Sequence, residues 1–376
     1  MILEFLWLAA LGVNLIPFGA YIVYMQWVAN TKPWNISVNP SYRPFVSIII
    51  PTYNEEDTIR TKLDNLLEVD YPREKMKLIV VDSASSDRTV PLTQDWAGTH
   101  KEIDTQIVVQ PERSGMVNAL NEALKHVTGE VVVKSDADCL LLRDSLVNAA
   151  KYISDPSVGS VAGLHIIRAG KETTPVKTER QYREFYRTLR IGESKLYGTV
   201  LYEGELMLVK RDLLEKIGFD EEIGADDVPT ALRLAELGYR AITAPDAFFV
   251  EMTPYTWREK FDQKVRRARH VFQSLWKYKY LIFQKKDAFH SLIMPFEFYI
   301  YALNPFVTVV LVGLTVAVIV RYPWIALFTG LLLVQRIRDL FVTHLVNSSI
   351  MVIAIIGESL GKEKTTWRKI EEIRPK

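Results

Sequence analysis

Long apolar stretches lie at both ends of this 376-residue chain, and they constrain its folding more than any other feature. Residues 1–30 contain one acidic or basic side chain, Glu4. That length is sufficient to cross the hydrocarbon core of a bilayer, which takes roughly 20 apolar residues. A signal peptide is the alternative, but the segment lacks a basic start and a clear small-x-small cleavage site. We therefore expect a retained transmembrane helix over residues 1–30.

A second apolar region covers residues 293–358 and consists of three runs, Ile293–Val320, Trp324–Val334 and Leu340–Gly357. The first run can span a bilayer even when tilted, and Pro305 is expected to kink it near its middle. We expect two full crossings in this region. The remaining run is then re-entrant, interfacial or merged with its neighbour.

The positions of the basic residues predict how the chain sits in the membrane. No Lys or Arg precedes the first apolar segment, whereas Lys32 and Arg43 follow it. Residues 359–376 form a basic tail with Lys362, Lys364, Arg368, Lys369, Arg374 and Lys376. Because basic flanks stay on the cytoplasmic side, we expect an integral protein of the plasma membrane whose central region and tail are cytoplasmic.

The composition excludes several classes of protein. The 46 Lys and Arg residues nearly balance the 45 Asp and Glu residues, so no polyanion such as nucleic acid is expected as a partner. The single cysteine, Cys139, rules out an intrachain disulfide. The six histidines form no Cys/His cluster with the spacing of a zinc site.

Strands alternate with helices in the central region. Buried strands are predicted at Val46–Ile50, Lys77–Val81, Thr105–Gln110 and Val131–Ser135, with helices over residues 57–68, 89–96 and 115–126 between them. This alternation predicts a doubly wound α/β sheet with parallel strands. Ligands of such sheets bind outside the carboxyl ends of the strands.

Polar residues follow three of these strands, namely Tyr53, Glu55, Asp82, Asp136 and Asp138. Asp136 and Asp138 would share one face of an extended segment, where a divalent cation would relieve their mutual repulsion. A solvated turn explains the pair equally well, because Asp is common in turns. No Walker or Gly-x-Gly-x-x-Gly sequence follows a strand, which argues against a mononucleotide phosphate loop or a dinucleotide site.

Several motifs, in this order, resemble those of glycosyltransferase family 2, which has the Rossmann-like GT-A fold. They are Pro51-Thr-Tyr-Asn-Glu55, Val80–Asp87, Ser135–Asp138, Gly224–Val228 and Gln263–Arg267. The last is similar to the Gln-x-x-Arg-Trp motif of membrane-bound members such as hyaluronan and cellulose synthases, and the chain also resembles polyprenyl-phosphate sugar transferases. The resemblance runs from about Phe45 to Trp276. It implies a cytoplasmic GT-A domain over residues 43–255.

The resemblance also implies a reaction, in which a sugar passes with inversion from a UDP- or GDP-linked donor to a lipid-linked or polysaccharide acceptor. Asp138 would bind Mn²⁺ or Mg²⁺, Asp136 would contact the metal or the ribose, and Asp227 would be the general base. For Asp227 the alternative is a helix N-cap. The residues that would bind the donor are Pro51, Tyr53, Glu55, Asp82, Arg113, Asp136, Gln263, Arg266 and Arg267.

The sequence departs from the family pattern at three positions. Arg267 replaces the tryptophan of the last motif, which weakens an expectation of processive synthesis. Met116 stands where a basic residue often precedes the third helix, although Arg113 is close. Asp226 replaces the more usual Glu beside Asp227.

Residues 256–292 combine basic and aromatic side chains and are expected to form amphipathic helices at the membrane interface. A catalytically silent membrane subunit of a polysaccharide or glycolipid assembly is the alternative to an enzyme. Retention of Asp136, Asp138 and Asp227 argues against that alternative.

Overall fold

A computed structural model describes residues 1–361, so the predicted basic tail lies outside the described residues from Lys362 onward. The strands of the described part are β1 (Val46–Thr52), β2 (Met76–Asp82), β3 (Asp104–Val109), β4 (Val131–Ser135), β5 (Cys139–Leu141), β6 (Val158–Arg168), β7 (Leu206–Lys210) and β8 (Arg240–Met252). Its helices are α1 (Ile2–Thr31), α2 (Ile59–Glu68), α3 (Thr89–Thr99), α4 (Met116–Leu124), α5 (Ser145–Ile153), α6 (Thr174–Leu196), α7 (Arg211–Ile217), α8 (Val228–Glu236), α9 (Trp257–Lys277), α10 (Met294–Phe298), α11 (Asn304–Arg321) and α12 (Gln335–Ser359).

The strands form one sheet in the order β3-β2-β1-β4-β7-β6-β8-β5. The first four run parallel, as the alternation of strands and helices predicted. β7 pairs antiparallel with both β4 and β6, and β5 pairs antiparallel with β8. The second half of the sheet is therefore mixed, and the carboxyl ends of β1, β2 and β4 meet at one edge.

The two faces of the sheet are covered by different helices because successive strand residues point to opposite sides. Ile48 and Ile50 of β1 pack in one apolar cluster with Leu63 of α2. Ile49 between them packs in a second cluster with Leu120 of α4. Helices on both faces leave the edge with the strand carboxyl ends open to ligands.

Three helices of the described part are long and apolar enough to cross a membrane, namely α1, the continuous helical run Phe289–Arg321, and Phe341–Ser359 within α12. The last two lie in the C-terminal region, where the sequence predicts two crossings. Pro305 lies in the first turn of α11, two residues after a π-helical turn, Tyr299–Leu303. A proline clashes with the carbonyl four residues earlier, so this wider turn accommodates the ring that was expected to kink the helix.

Polar side chains join these apolar helices to one another. Asn14 of α1 donates to Thr308 of α11 at 2.8 Å, and the Thr308 hydroxyl lies 3.1 Å from His344 Nε2 of α12. α1 also packs against α6, where a Cβ on Gly192 would collide with the carbonyl of Met25. The helices are thus tied both to one another and to the α/β domain.

Candidate active site

A cavity of about 880 Å³ opens at the carboxyl ends of β1 and β4. Its wall begins at the residues that follow β1 and continues along α6 and α9. At its far end the wall includes Tyr301, Asn347, Ile350 and Met351 from the C-terminal helical region. The cavity therefore extends from the carboxyl-terminal edge of the sheet to the apolar C-terminal helices.

Most of the residues predicted to bind the donor or catalyse transfer line this cavity: Pro51, Tyr53, Glu55, Arg113, Asp136, Asp138, Asp227, Gln263, Arg266 and Arg267. Asp82 does not line the cavity, and it is only 1% exposed. Its carboxylate accepts hydrogen bonds from Thr52 Oγ1 at 3.0 Å and from the Ser85 amide at 2.8 Å. In this structure Asp82 orders the loops beside the cavity and does not form its surface.

The loop after β1 supplies an aromatic surface at one end of the cavity. Asn54 has a φ of 55°, and its side-chain oxygen accepts from the Ser86 amide at 2.8 Å, which fixes the turn. The guanidinium of Arg113 lies 4.0 Å from the centre of the Tyr53 ring. Arg113 thus brings a cation to this end, close to the position of Met116.

Asp136 and Asp138 lie in the tight turn between β4 and β5, and not in an extended segment as the shared-face argument assumed. Both nevertheless line the cavity. Lys62 of α2 is completely buried beneath the turn, and its Nζ donates to Ser135 Oγ at 2.7 Å and to the Cys139 carbonyl at 2.6 Å. The turn therefore forms an edge of the cavity, and the buried Lys62 holds the residues on both sides of it.

Lys134 is a site residue that the sequence analysis missed. It is 2% exposed, and its Nζ lies 2.7 Å from Asp136 Oδ1 and 2.8 Å from Asp226 Oδ2. Burial would lower the pKa of Lys134, but the charges of Asp136 and Asp226 outweigh it and hold the pKa well above its usual value. The sequence did contain an indication of its role, because Lys134 is a charged residue within the otherwise uncharged strand Val131–Ser135.

Asp227 occupies the N-cap position of α8, where its Oδ1 accepts from the Val228 amide at 2.7 Å. Burial, and then the charge of Asp226, raise the pKa of Asp227 to about 7. A carboxyl group near neutrality suits general base catalysis. Because the cap uses Oδ1, the N-cap and base interpretations are compatible.

A second cluster of charged side chains is centred on Arg267. Its Nη2 lies 3.0 Å from Glu205 Oε1 and 3.9 Å from Glu251 Oε1. Burial, and then the charge of Glu205, raise the pKa of Glu251 well above its usual value. His165 lies 3.6 Å from Glu251, and burial lowers its pKa to about 4. Glu251 and His165 were not predicted from the sequence. Together with Glu205 and Arg267 they make this wall polar, where a tryptophan would make it apolar.

Gln263 and Arg266 project from α9 toward the same cavity. Burial, and then the charge of Arg267, lower the pKa of Arg266 to about 10. Among the side chains that the structure describes, Arg266 has no carboxylate at ion-pair distance, unlike Arg267. A guanidinium of this kind suits the bidentate recognition of a phosphate.

The acidic groups of the turn suit a divalent cation. Burial raises the pKa of Asp136 to about 6; Lys134 opposes the rise, and Asp226 and Asp138 add to it. The carboxylates of this turn line the cavity, and their oxygen donors match Mg²⁺ or Mn²⁺. Over the described residues no group of three acidic, His or Cys side chains converges as a complete ligand set. Substrate phosphates and water would supply the other ligands.

The chain is similar to known glycosyltransferases. A sequence model described as Glycosyl transferase family 2 matches residues 47–218. The solved mannosyltransferase PcManGT from Pyrobaculum calidifontis, in complex with GDP-Man and Mn²⁺, is 36% identical and superposes with a TM-score of 0.79, covering 95% of this chain and 100% of that one.

Two curated relatives are more distant. A probable glycosyltransferase, YdaM of Bacillus subtilis, is 28% identical over 276 residues, which are 71% of this chain and 64% of that protein. The poly-beta-1,6-N-acetyl-D-glucosamine synthase of Staphylococcus epidermidis is 25% identical over 226 residues, 60% of this chain and 54% of that protein. The chain thus spans between about half and two thirds of the length of these relatives.

Proposed function

The chain belongs to glycosyltransferase family 2 and has its GT-A fold, and from this premise we propose that it is a membrane-embedded, metal-dependent, inverting glycosyltransferase. The observation that carries the proposal is the single cavity wall that contains Asp136, Asp138 and Asp227 and continues to the membrane helices. Donor and acceptor would meet in this cavity.

The donor is proposed to be a GDP- or UDP-linked sugar. GDP-mannose is the first candidate, because the similar mannosyltransferase was solved with GDP-Man and Mn²⁺. Tyr53 and Arg113 would hold the nucleoside, with Pro51, Glu55 and Asp82 shaping or ordering the loops around it. Gln263, Arg266 and Arg267 lie on the proposed diphosphate side. Asp138 and Asp136 would hold Mn²⁺ or Mg²⁺, which supplies charge neutralisation to the leaving diphosphate.

Asp227 is proposed to be the general base. It would accept the proton of the acceptor hydroxyl as that oxygen forms its bond to the anomeric carbon. The bond from this carbon to the diphosphate breaks at the same time, and the nucleoside diphosphate leaves. Attack from the face opposite the leaving group inverts the configuration.

The acceptor is proposed to be a membrane lipid or a lipid-linked glycan, because Tyr301, Ile350 and Met351 contribute to the cavity wall. The exposed Trp257 and Trp276 of α9 suit the membrane interface. We retain the domain organisation as a proposal: a transmembrane helix (1–30), a cytoplasmic catalytic domain (43–255), interface helices (256–292), a transmembrane region (293–358) and a basic tail (359–376), in the plasma membrane.

Turnover of labelled donors tests the proposal. The full chain in lipid nanodiscs would be given GDP-mannose, UDP-glucose or UDP-N-acetylglucosamine with membrane lipid extract, with Mn²⁺ or with EDTA. We expect one donor to release its nucleoside diphosphate and to add its sugar to a lipid, only with the metal present. If no donor turned over, and Asp227→Asn matched the wild type throughout, the silent-subunit alternative would replace this proposal.

A further inference from the structure

Lys134 has no part in the proposed mechanism, yet it lies among three segments that shape the site. Its Nζ contacts Asp136 in the turn after β4 and Asp226 in the loop before α8. The charge of Glu205, in the loop before β7, also raises its pKa. The groups that face it from all three segments are therefore acidic.

The loop before β7 also confines the Asp226 side chain. A Cβ added to Gly204 would lie 2.7 Å from Asp226 Oδ2, the oxygen that contacts Lys134. The backbone oxygen of Asp226 accepts from Thr230 Oγ1 at 2.6 Å. The Asp226 side chain therefore has little room to move, and its Oδ2 lies beside the ammonium of Lys134.

The single positive charge of Lys134 is therefore shared between the carboxylates of Asp136 and Asp226. Asp136 has 26% of its side chain exposed at the cavity, whereas the side chains of Asp226 and Lys134 are 9% and 3% exposed. Asp136 is the partner that can exchange the ammonium for a cation in the cavity. Asp226 lies deeper and depends on Lys134 for its counter-charge.

We propose that Lys134 is the resident counter-ion of the site: it holds Asp136 and Asp226 together and competes with the divalent cation for Asp136. Lys134 thereby sets the metal affinity as a positioning residue. The inference rests on the proposed function insofar as Asp136 is a metal ligand. It predicts that loss of Lys134 and loss of Asp226 change the metal affinity in opposite directions.

The test is a titration of the full-length protein in nanodiscs with Mn²⁺ alone, without nucleotide, with free Mn²⁺ measured by electron paramagnetic resonance. Lys134→Met removes the competing charge and is expected to tighten Mn²⁺ binding about tenfold. Asp226→Asn leaves Lys134 paired with Asp136 alone and is expected to weaken binding about tenfold.

Lys77→Met is the matched control. Lys77 lies near the amino end of β2, away from the ligand edge, and donates to the His126 carbonyl at 2.9 Å. We expect its Mn²⁺ affinity to equal that of the wild type. A shift of similar size in this variant would mean that any lost positive charge has the effect, and would overturn the assignment to Lys134.

Three further outcomes would contradict the inference. Shifts of Lys134→Met and Asp226→Asn in the same direction would show a purely structural role. Wild-type affinity in Lys134→Met would show that Lys134 does not compete. If Lys134→Met does not fold, Asp226→Asn still decides, because unchanged or tighter binding would refute the competition. A wild type that binds no Mn²⁺ would instead refute the proposed metal site, and this inference with it.

Discussion

Arg190 Nη1 of α6 lies 2.7 Å from Glu297 Oε1 of α10, so a guanidinium next to the cavity reaches a carboxylate in the apolar C-terminal helical run. The same nitrogen lies 3.1 Å from Glu193 Oε2, and Tyr21 of α1 donates to Glu193 at 2.8 Å. All four residues are buried except for the edge of Arg190, which lines the cavity. One polar cluster therefore joins the α/β domain to two of the long apolar helices.

This cluster predicts unequal costs for the removal of its members. Arg190→Met leaves two buried carboxylates without their cation and is expected to lower the free energy of unfolding by about 3–5 kcal/mol. Glu297→Gln leaves Arg190 paired with Glu193 and should cost less than half as much. Thermal unfolding in detergent measures both. As a control, Arg211→Met removes an exposed ion pair with Glu215 and should change stability by less than about 0.5 kcal/mol. Equal losses for Arg190→Met and Glu297→Gln would contradict the prediction.

Gly192 sets the distance between α6 and α1. Because a Cβ there would meet the Met25 carbonyl, Gly192→Ala should separate the two helices and cost about 1–3 kcal/mol of stability. Gly98 in α3 is the control, since a Cβ at that position meets nothing within 4 Å. Gly98→Ala should stabilise by about 0.5–1 kcal/mol through helix propensity. If the two substitutions had the same sign in thermal unfolding, the close approach at Gly192 would not limit packing.

Asp227→Asn tests the proposed base separately from the helix cap. The amide oxygen can still accept from the Val228 amide, so we expect folding and donor affinity to persist. Turnover should fall by about 10²–10⁴-fold, because the amide cannot take a proton. Calorimetric titration with the nucleotide sugar and steady-state kinetics measure the two effects. Asp144→Asn, at the surface N-cap of α5, should retain wild-type kinetics. If Asp227→Asn kept more than about a tenth of the wild-type turnover, Asp227 would not be the general base.

The raised pKa of Asp227 predicts the acid limb of the pH profile. The base acts in its deprotonated form, so kcat/KM should increase with pH through a midpoint near pH 7 and level off above that midpoint. For an aspartate with the ordinary pKa of 3.8, the midpoint of this acid limb would lie near pH 3.8. Asp226→Asn removes the second cause of the shift and should move the midpoint to lower pH. A profile of the wild type that is flat from pH 5 to pH 8 would argue against Asp227 as the base.

The local elements were well predicted. β4 has the predicted bounds, Val131–Ser135, because a β-branched run between turn residues favours a strand whatever surrounds it. The long apolar helices at both ends were also predicted from their length and apolar content. The shared-face argument for Asp136 and Asp138 failed because the chain turns immediately after β4. Their place beside the cavity followed instead from the order of the strands.

The sequence by itself determined the apolar segments, the alternation of strands and helices and the family motifs, because these depend on residues that are close together in the chain. Only the tertiary structure decided which charges meet. Lys134 contacts Asp226, Arg267 contacts Glu205 and Arg190 contacts Glu297 across loops that the sheet order and the membrane helices bring together. Ion pairing requires approach to within a few ångströms, and burial then strengthens it. The spacing of residues along the chain predicts neither the distance between two charged groups nor their burial.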